Sequence, residues 1–171
     1  PYAEAGYGFP ESGQTMVNVT NAKLMRLLVD DEPFDVRYGE LRSHERTLDL
    51  RAGTLERIVE WVSPSGQAIR VRTVRMVSFT HRAIVAFLYE VEPLDASGRL
   101  ILQSELVANE QLPPTSKDPR VAAVLDHPLQ AEEMLEQRTG GLLVHRTKAS
   151  DLRMAAAMEH LVETPGKHAL T

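Results

Sequence analysis

The 171 residues are 43% apolar and 25% charged, the balance of an ordinary globular protein with enough chain for one buried core. A net charge of −5 argues against nucleic acid as the main partner, and the absence of cysteine removes disulfide and thiolate chemistry. No apolar run approaches the roughly twenty residues needed to cross a bilayer, so no membrane partner is expected.

The opening Pro1-Tyr-Ala-Glu-Ala-Gly-Tyr-Gly8 lacks the charged and apolar regions of a signal peptide, which implies a cytoplasmic protein, and it lacks an initiator Met. Up to Gln14 the chain reads as irregular loop, and Thr15 to Val19 is a short strand candidate. Lys23 to Val29 and Phe34 to Val36 flank the turn cluster Asp30-Asp-Glu-Pro33, predicting a hairpin. Leu24, Leu27 and Leu28 would also suit a helix, but the run is short and no capping residue precedes it. Leu41 to Leu50 and Thr54 to Val62 follow as strands around Ala52-Gly53, and Ser63-Pro-Ser-Gly66 turns the chain into Gln67.

Gln67 to Asn109 reads as a meander of three strands. In the first, Ile69 and Val71 share one phase and Val74 and Met76 the other, which predicts a bulge or a strand covered on both faces for part of its length. The second, Ala83 to Val91, is so continuously apolar that it predicts a central strand buried on both sides. Leu100 to Val107 is the third. Glu110 to Pro119 is an aperiodic loop, and Ala131 to Glu136 resembles a helical turn although His127-Pro128 precludes one continuous helix there. Leu142 to Thr147 and Leu152 to Val162 form a last pair around Ala149-Ser-Asp151. Nine or ten strands at this spacing predict an all-β, two-sheet antiparallel sandwich with little helix.

Candidate chemistry is sparse. On an extended strand His44 faces away from Glu45 and Asp49, so that trio cannot converge. Glu56 and Glu60 lie roughly 13 Å apart by strand rise, beyond the roughly 5–9.5 Å separation of glycosidase carboxylates. Arg70, Arg72 and Arg75 form either an anion-binding strip or a polar sheet face with cross-strand acid partners, and the second is the expected reading. His81, His127, His145, His160 and His168 show no metal-ligand spacing; no metal, cofactor or catalytic group is assigned. Trp61, Tyr38 and Tyr89 are the aromatic side chains available to stack on a sugar ring, with core packing the competing role for Trp61.

Several segments in order carry a resemblance: Gly8 to Val19, Leu27 to Asp35, Ser43 to Gly53, Gln103 to Glu110, His145 to Thr147 and Met158 to His160. Together they resemble the N-terminal domain of glycoside hydrolase family 65, which comprises maltose, trehalose and kojibiose phosphorylases and related α-glucoside hydrolases. The resemblance implies a non-catalytic sandwich of the galactose-mutarotase type, all of residues 1–171 being an interior piece of that single domain. Its partner would be a catalytic α/α barrel of the same enzyme, bearing a general-acid glutamate and, in phosphorylases, a phosphate pocket. A homodimer and a disaccharide substrate are implied for the whole enzyme. A stand-alone carbohydrate-binding module is the alternative, and a self-sufficient mutarotase a third. A sandwich lacking strands at both ends would expose edges and an apolar face, so the isolated chain is expected to oligomerise or to be marginally stable.

Overall fold

Alternating side chains and frequent turn residues give a chain built of strands. The computed structural model describes residues 17–95, 98–110 and 127–171, and among them there are ten strands and no helix. They form three sheets, ordered β2-β1-β7, β3-β4-β5-β6 and β10-β9-β8, and fall into two compact units: Arg26–Gln103, and Pro1–Met25 with Ser104–Thr171. The all-β expectation therefore holds.

In the unit Arg26–Gln103, β3 (Glu40–Asp49), β4 (Thr54–Val62), β5 (Ala68–Val77) and β6 (Val85–Pro93) pair antiparallel in succession. Opposite them lie the end of β1 (Asn21–Val29), β2 (Glu32–Pro33) and the start of β7 (Leu100–Val107). The core between these layers is Leu27, Val29, Val59, Trp61, Ile69 and Val71, with Phe34, Val36, Tyr89, Val91 and Leu100 packed around it. Its inward residues recur at every second position along β4 and β5, as the pleat requires.

Several expectations are corrected here. The ladders of β5 run unbroken, from Ala68 to Met76 against β4 and from Ile69 to Val77 against β6, so there is no bulge between Val71 and Val74; in this sheet a register shift lies in β3, between Leu41 and Ser43. The change of phase arises because β5 outruns the core: Ile69 and Val71 are buried, whereas Met76 is 39% exposed on the other face. β6 is an edge strand and mostly exposed, not a central one, because β7 leaves the meander to pair with β1. β2 covers only Glu32–Pro33, and its Pro33 is tolerated because β2 is the edge of its sheet. Residues 17–19 are not in a strand; residues 15 and 16, and the loop from residue 111 to 119, lie outside the described residues.

In the other unit, β8 (Leu129–Gln137), β9 (Gly140–Thr147) and β10 (Arg153–Glu159) form an antiparallel sheet. The segment from Ala131 to Glu136 is thus a strand rather than a helical turn. Asn109 fixes its start, donating from Nδ2 to the Leu129 carbonyl at 2.7 Å and accepting the Leu129 N–H at 2.9 Å. Ladder pairing along β9 then outweighs a helical spacing only one turn long.

Candidate functional site

The four-stranded sheet carries most of the charge that sequence reasoning singled out, and its two faces use that charge differently. On the outer face, Arg70 of β5 bridges Glu60 of β4 and Glu92 of β6, each at 2.8 Å. Arg72 bridges Glu56 at 2.7 Å and Glu90 at 2.6 Å. These hydrogen bonds to carboxylates hold both guanidinium pKa values above the ordinary one. The expected cross-strand acid partners are therefore present for Arg70 and Arg72. Glu56 and Glu60 each spend an oxygen on an arginine and aim no acid/base pair at open space.

The inner face changes character along the strands. Nearest the core, Trp61 pairs with Ile69, and the next row is His44, Val59, Val71 and Val91. Beyond lie the row Arg46, Arg57, Thr73 and Tyr89 and the row Leu48, Leu55, Arg75 and Phe87. With no bulge in β5, Arg75 points to the face opposite Arg70 and Arg72. Arg57 is half-buried; its Nε donates to His44 Nε2 at 3.2 Å, and its guanidinium lies 6.0 Å from the centroid of Phe34. Burial, then the charge of Arg46 and to a lesser degree that of Arg75, lowers the Arg57 pKa. Arg75 stands 5.7 Å from the centroid of Phe87. Among the described residues no carboxylate pairs with Arg46, Arg57 or Arg75.

Around these cations the same face exposes apolar side chains: Leu48 is 62% accessible, Val77 59% and Val85 49%. A neighbouring cavity of about 210 Å³, lined by Leu50, Met76, Val77 and Phe79 among others, is smaller than the roughly 300–1,000 Å³ of ligand pockets.

The three stacking candidates do not converge. Trp61 is 0% exposed, edge-on to Phe34 at 5.3 Å, and its Nε1 donates to the Tyr38 carbonyl at 2.6 Å. A ring with no open face cannot stack on a sugar, so Trp61 is corrected to a core residue. Gly39 makes this packing feasible: at φ +74° a Cβ there would lie 2.3 Å from the Val62 carbonyl oxygen and 2.9 Å from Trp61 Nε1. Tyr38 is exposed, with the Arg37 guanidinium 5.8 Å from its ring centroid. Tyr89 is half-buried, and burial pushes its phenol up to about 12.

The remaining candidates are dispersed. His44 points inward, whereas Glu45 lies on the outer face and Asp49 accepts the backbone N–H groups of Arg51 and Ala52 at 2.8 and 2.9 Å. Among the described residues no three His, Asp or Glu side chains are grouped to hold a metal ion. Among the described residues His145 Nδ1 and His160 Nε2 are buried without a hydrogen-bond partner. Sequence reasoning missed Arg46 and Arg57. The available signal was phase: Arg57 shares one with Leu55, Val59 and Trp61, an arginine on the apolar side of its strand.

Comparison with known proteins settles the family. The model of the glycosyl hydrolase family 65 N-terminal domain matches residues 1–171. The chain belongs to this family. It is 60% identical over all its residues to an uncharacterized glycosyl hydrolase of Mycobacterium tuberculosis, of which it covers 22%. An α,α-trehalose phosphorylase of Thermoanaerobacter brockii is 32% identical over 98% of the chain, again covering 22% of that protein. Among solved structures, a putative kojibiose phosphorylase from the human microbiome superposes with a TM-score of 0.71 at 17% identity, over 88% of this chain and 18% of that one. That likeness supports the fold. The family 65 chain spans about a fifth of the length of the curated relatives it matches.

Proposed function

We propose that residues 1–171 serve as a non-catalytic part of the N-terminal sandwich domain of a family 65 enzyme acting on α-glucosides of the trehalose, maltose or kojibiose type. The observation that carries this reading is the family match over residues 1–171 together with a 22% share of relatives that include a trehalose phosphorylase. Glu56 and Glu60, the carboxylates weighed for acid/base work, are each engaged by an arginine. Bond cleavage would then fall to a catalytic α/α-barrel domain elsewhere in the same polypeptide, with phosphate or water as acceptor. The whole enzyme would act in the cytoplasm, as a homodimer.

The test is an assay of the full-length polypeptide on trehalose, maltose and kojibiose, with and without phosphate, beside the isolated 171 residues. Glucose 1-phosphate or glucose released only by the full-length protein is the expected result. Turnover by the isolated chain at a comparable rate would overturn the reading.

The exposure of Tyr38 favours one second reading, a carbohydrate-binding module. Titration of the isolated chain with maltose, trehalose and kojibiose tests it, and binding at millimolar or lower concentration that Tyr38→Ala abolishes would support it.

A further inference from the structure

The sheet of β8, β9 and β10 ends on β10, Arg153-Met-Ala-Ala-Ala-Met-Glu159. From Ala156 outward, each half of this strand runs alanine, methionine, charge, and the two terminal charges are of opposite sign. Backbone pairing decides which groups face its open edge. The Thr147 N–H donates to the Leu152 carbonyl at 2.9 Å and the His160 N–H to the Thr139 carbonyl at 2.7 Å, so the even-numbered residues bond to β9. Alternation turns the N–H and C=O groups of Arg153, Ala155, Ala157 and Glu159 away from β9, and these four residues are exposed. Met154, Ala156 and Met158 are half-buried on the other face, where Ser104 Oγ donates to Met158 Sδ at 3.6 Å. Edge strands are ordinarily guarded by charge or proline along their length, and β10 carries neither between its ends.

We propose that β10 pairs with β10 of a second copy of this chain, antiparallel about a two-fold axis through Ala156. Two copies of one edge share a sheet only about an axis perpendicular to it, so residues equidistant from the axis face each other. Ala155 then exchanges both backbone hydrogen bonds with the partner's Ala157, and Arg153 does so with the partner's Glu159. Met154 meets the partner's Met158, and Arg153 and Glu159 make a cross-strand ion pair at each end. The axis is specified by charge. Moved to Ala155, it sets Glu159 against the partner's Asp151; moved to Ala157, it sets Arg153 against the partner's Leu161. Arg153 Nε already donates to Glu132 Oε2 at 2.7 Å, yet its side chain stays 64% exposed and within reach of a second acid. The opposite edge, β8, is guarded: an axis through Glu132, Glu133, Met134 or Glu136 sets glutamate against glutamate. The inference rests on the homodimer of the proposed function, to which it gives a contact, and not on the reaction.

The test is charge exchange in the full-length polypeptide. Arg153→Glu and Glu159→Arg each set like charges against one another at both ends of the pairing. Both positions are exposed, so both variants are expected to fold. By sedimentation equilibrium each variant alone is expected to dimerise at least about tenfold more weakly than the parent. Mixed in equal amounts, R153E and E159R are expected to regain the parent's affinity, because every charge across the edge then meets its opposite. Ala155→Pro removes an outward N–H and no bond to β9, and is expected to be monomeric. The amides of Ala155 and Ala157 are expected to exchange hydrogen slowly in the parent dimer and fast once dilution separates it.

Protection of those two amides that dilution leaves unchanged would overturn the proposal and give the edge to a strand of the same polypeptide. A mixture of R153E and E159R that fails to recover would overturn it too. A dimer that none of the three substitutions weakens would remove this contact and leave the homodimer standing. A monomeric parent would remove both. If the mixture recovers but no α-glucoside is cleaved, the functional reading fails and the contact stands.

Discussion

The two faces of one sheet show how the same side chain takes opposite roles. Arg70 and Arg72 on the outer face lie between strands that each supply a glutamate, and the result is a closed lattice of ion pairs. On the inner face Arg57 meets His44 and Phe34, and Arg75 meets Phe87, instead. The difference comes from the phase of the acids: Glu56, Glu60, Glu90 and Glu92 all fall on outward positions.

Substitutions can break this comparison at several depths. The largest effect is expected at the buried end of the inner face, where Trp61→Ala should cost about 3–5 kcal/mol and unfold a marginal isolated chain. Gly39→Ala should follow, since the left-handed backbone alone costs roughly 1–2 kcal/mol and the contact with Val62 and Trp61 adds to it. Urea denaturation of both variants measures this order, and a Gly39→Ala protein as stable as the parent would refute the packing at Tyr38.

Smaller shifts sharpen the contrast between arginines. Arg70→Met removes two exposed ion pairs and should lower the thermal midpoint slightly, more so at low salt. Arg57→Met, which removes a half-buried cation with no carboxylate, should leave the isolated chain as stable or more so. Midpoints that fall equally in the two variants would erase the distinction between the faces.

Titration gives the smallest effects. Tyr89 ionises near 12 in the fold against 10.0 ordinarily, because burial disfavours the phenolate. A raised folded pKa contributes stability that is full below pH 10.0 and is lost as pH rises through about 12, so Tyr89→Phe should flatten that alkaline loss. Asp35 runs the other way: the Arg37 guanidinium lowers its pKa from 3.8 to about 2. Its contribution is present above pH 3.8 and disappears as pH falls through about 2, which Asp35→Asn should remove. Denaturation across both pH ranges checks the two signs.

Much of this architecture was legible in the chain. The strand Thr54–Val62 and the strand Leu100–Val107 have the bounds that their turn residues and alternation predict. The acid partners of Arg70 and Arg72 were legible because alternation puts glutamates at matching positions on both neighbours. What stayed hidden was pairing between distant segments. An apolar run such as Ala83 to Val91 does not say whether another strand will flank it, and β7 joining β1 made β6 an edge. The segment from Ala131 to Glu136 is too short for its period to separate strand from helix. Trp61 looked eligible for sugar because burial depends on Phe34 and Gly39, which pattern alone does not bring together.

The join between the first and last segments of the layer opposite Trp61 also bears on how the chain is made. The Asp30 N–H donates to the Arg99 carbonyl at 2.7 Å, and Asp30 Oδ1 accepts the Arg99 N–H at 3.0 Å, a contact between residues 69 positions apart. The hairpins from β3 to β6 need only near neighbours and can form as they emerge from the ribosome. The layer holding Leu27 and Val29 cannot gain its flanking strand until β7 has been synthesised. At about 5–20 residues per second, the interval between the translation of Asp30 and that of Arg99 is several seconds, and through its later part Trp61 has been made while β7 has not. In that interval the apolar side chains of Leu27 and Val29 lack the strand that later flanks them.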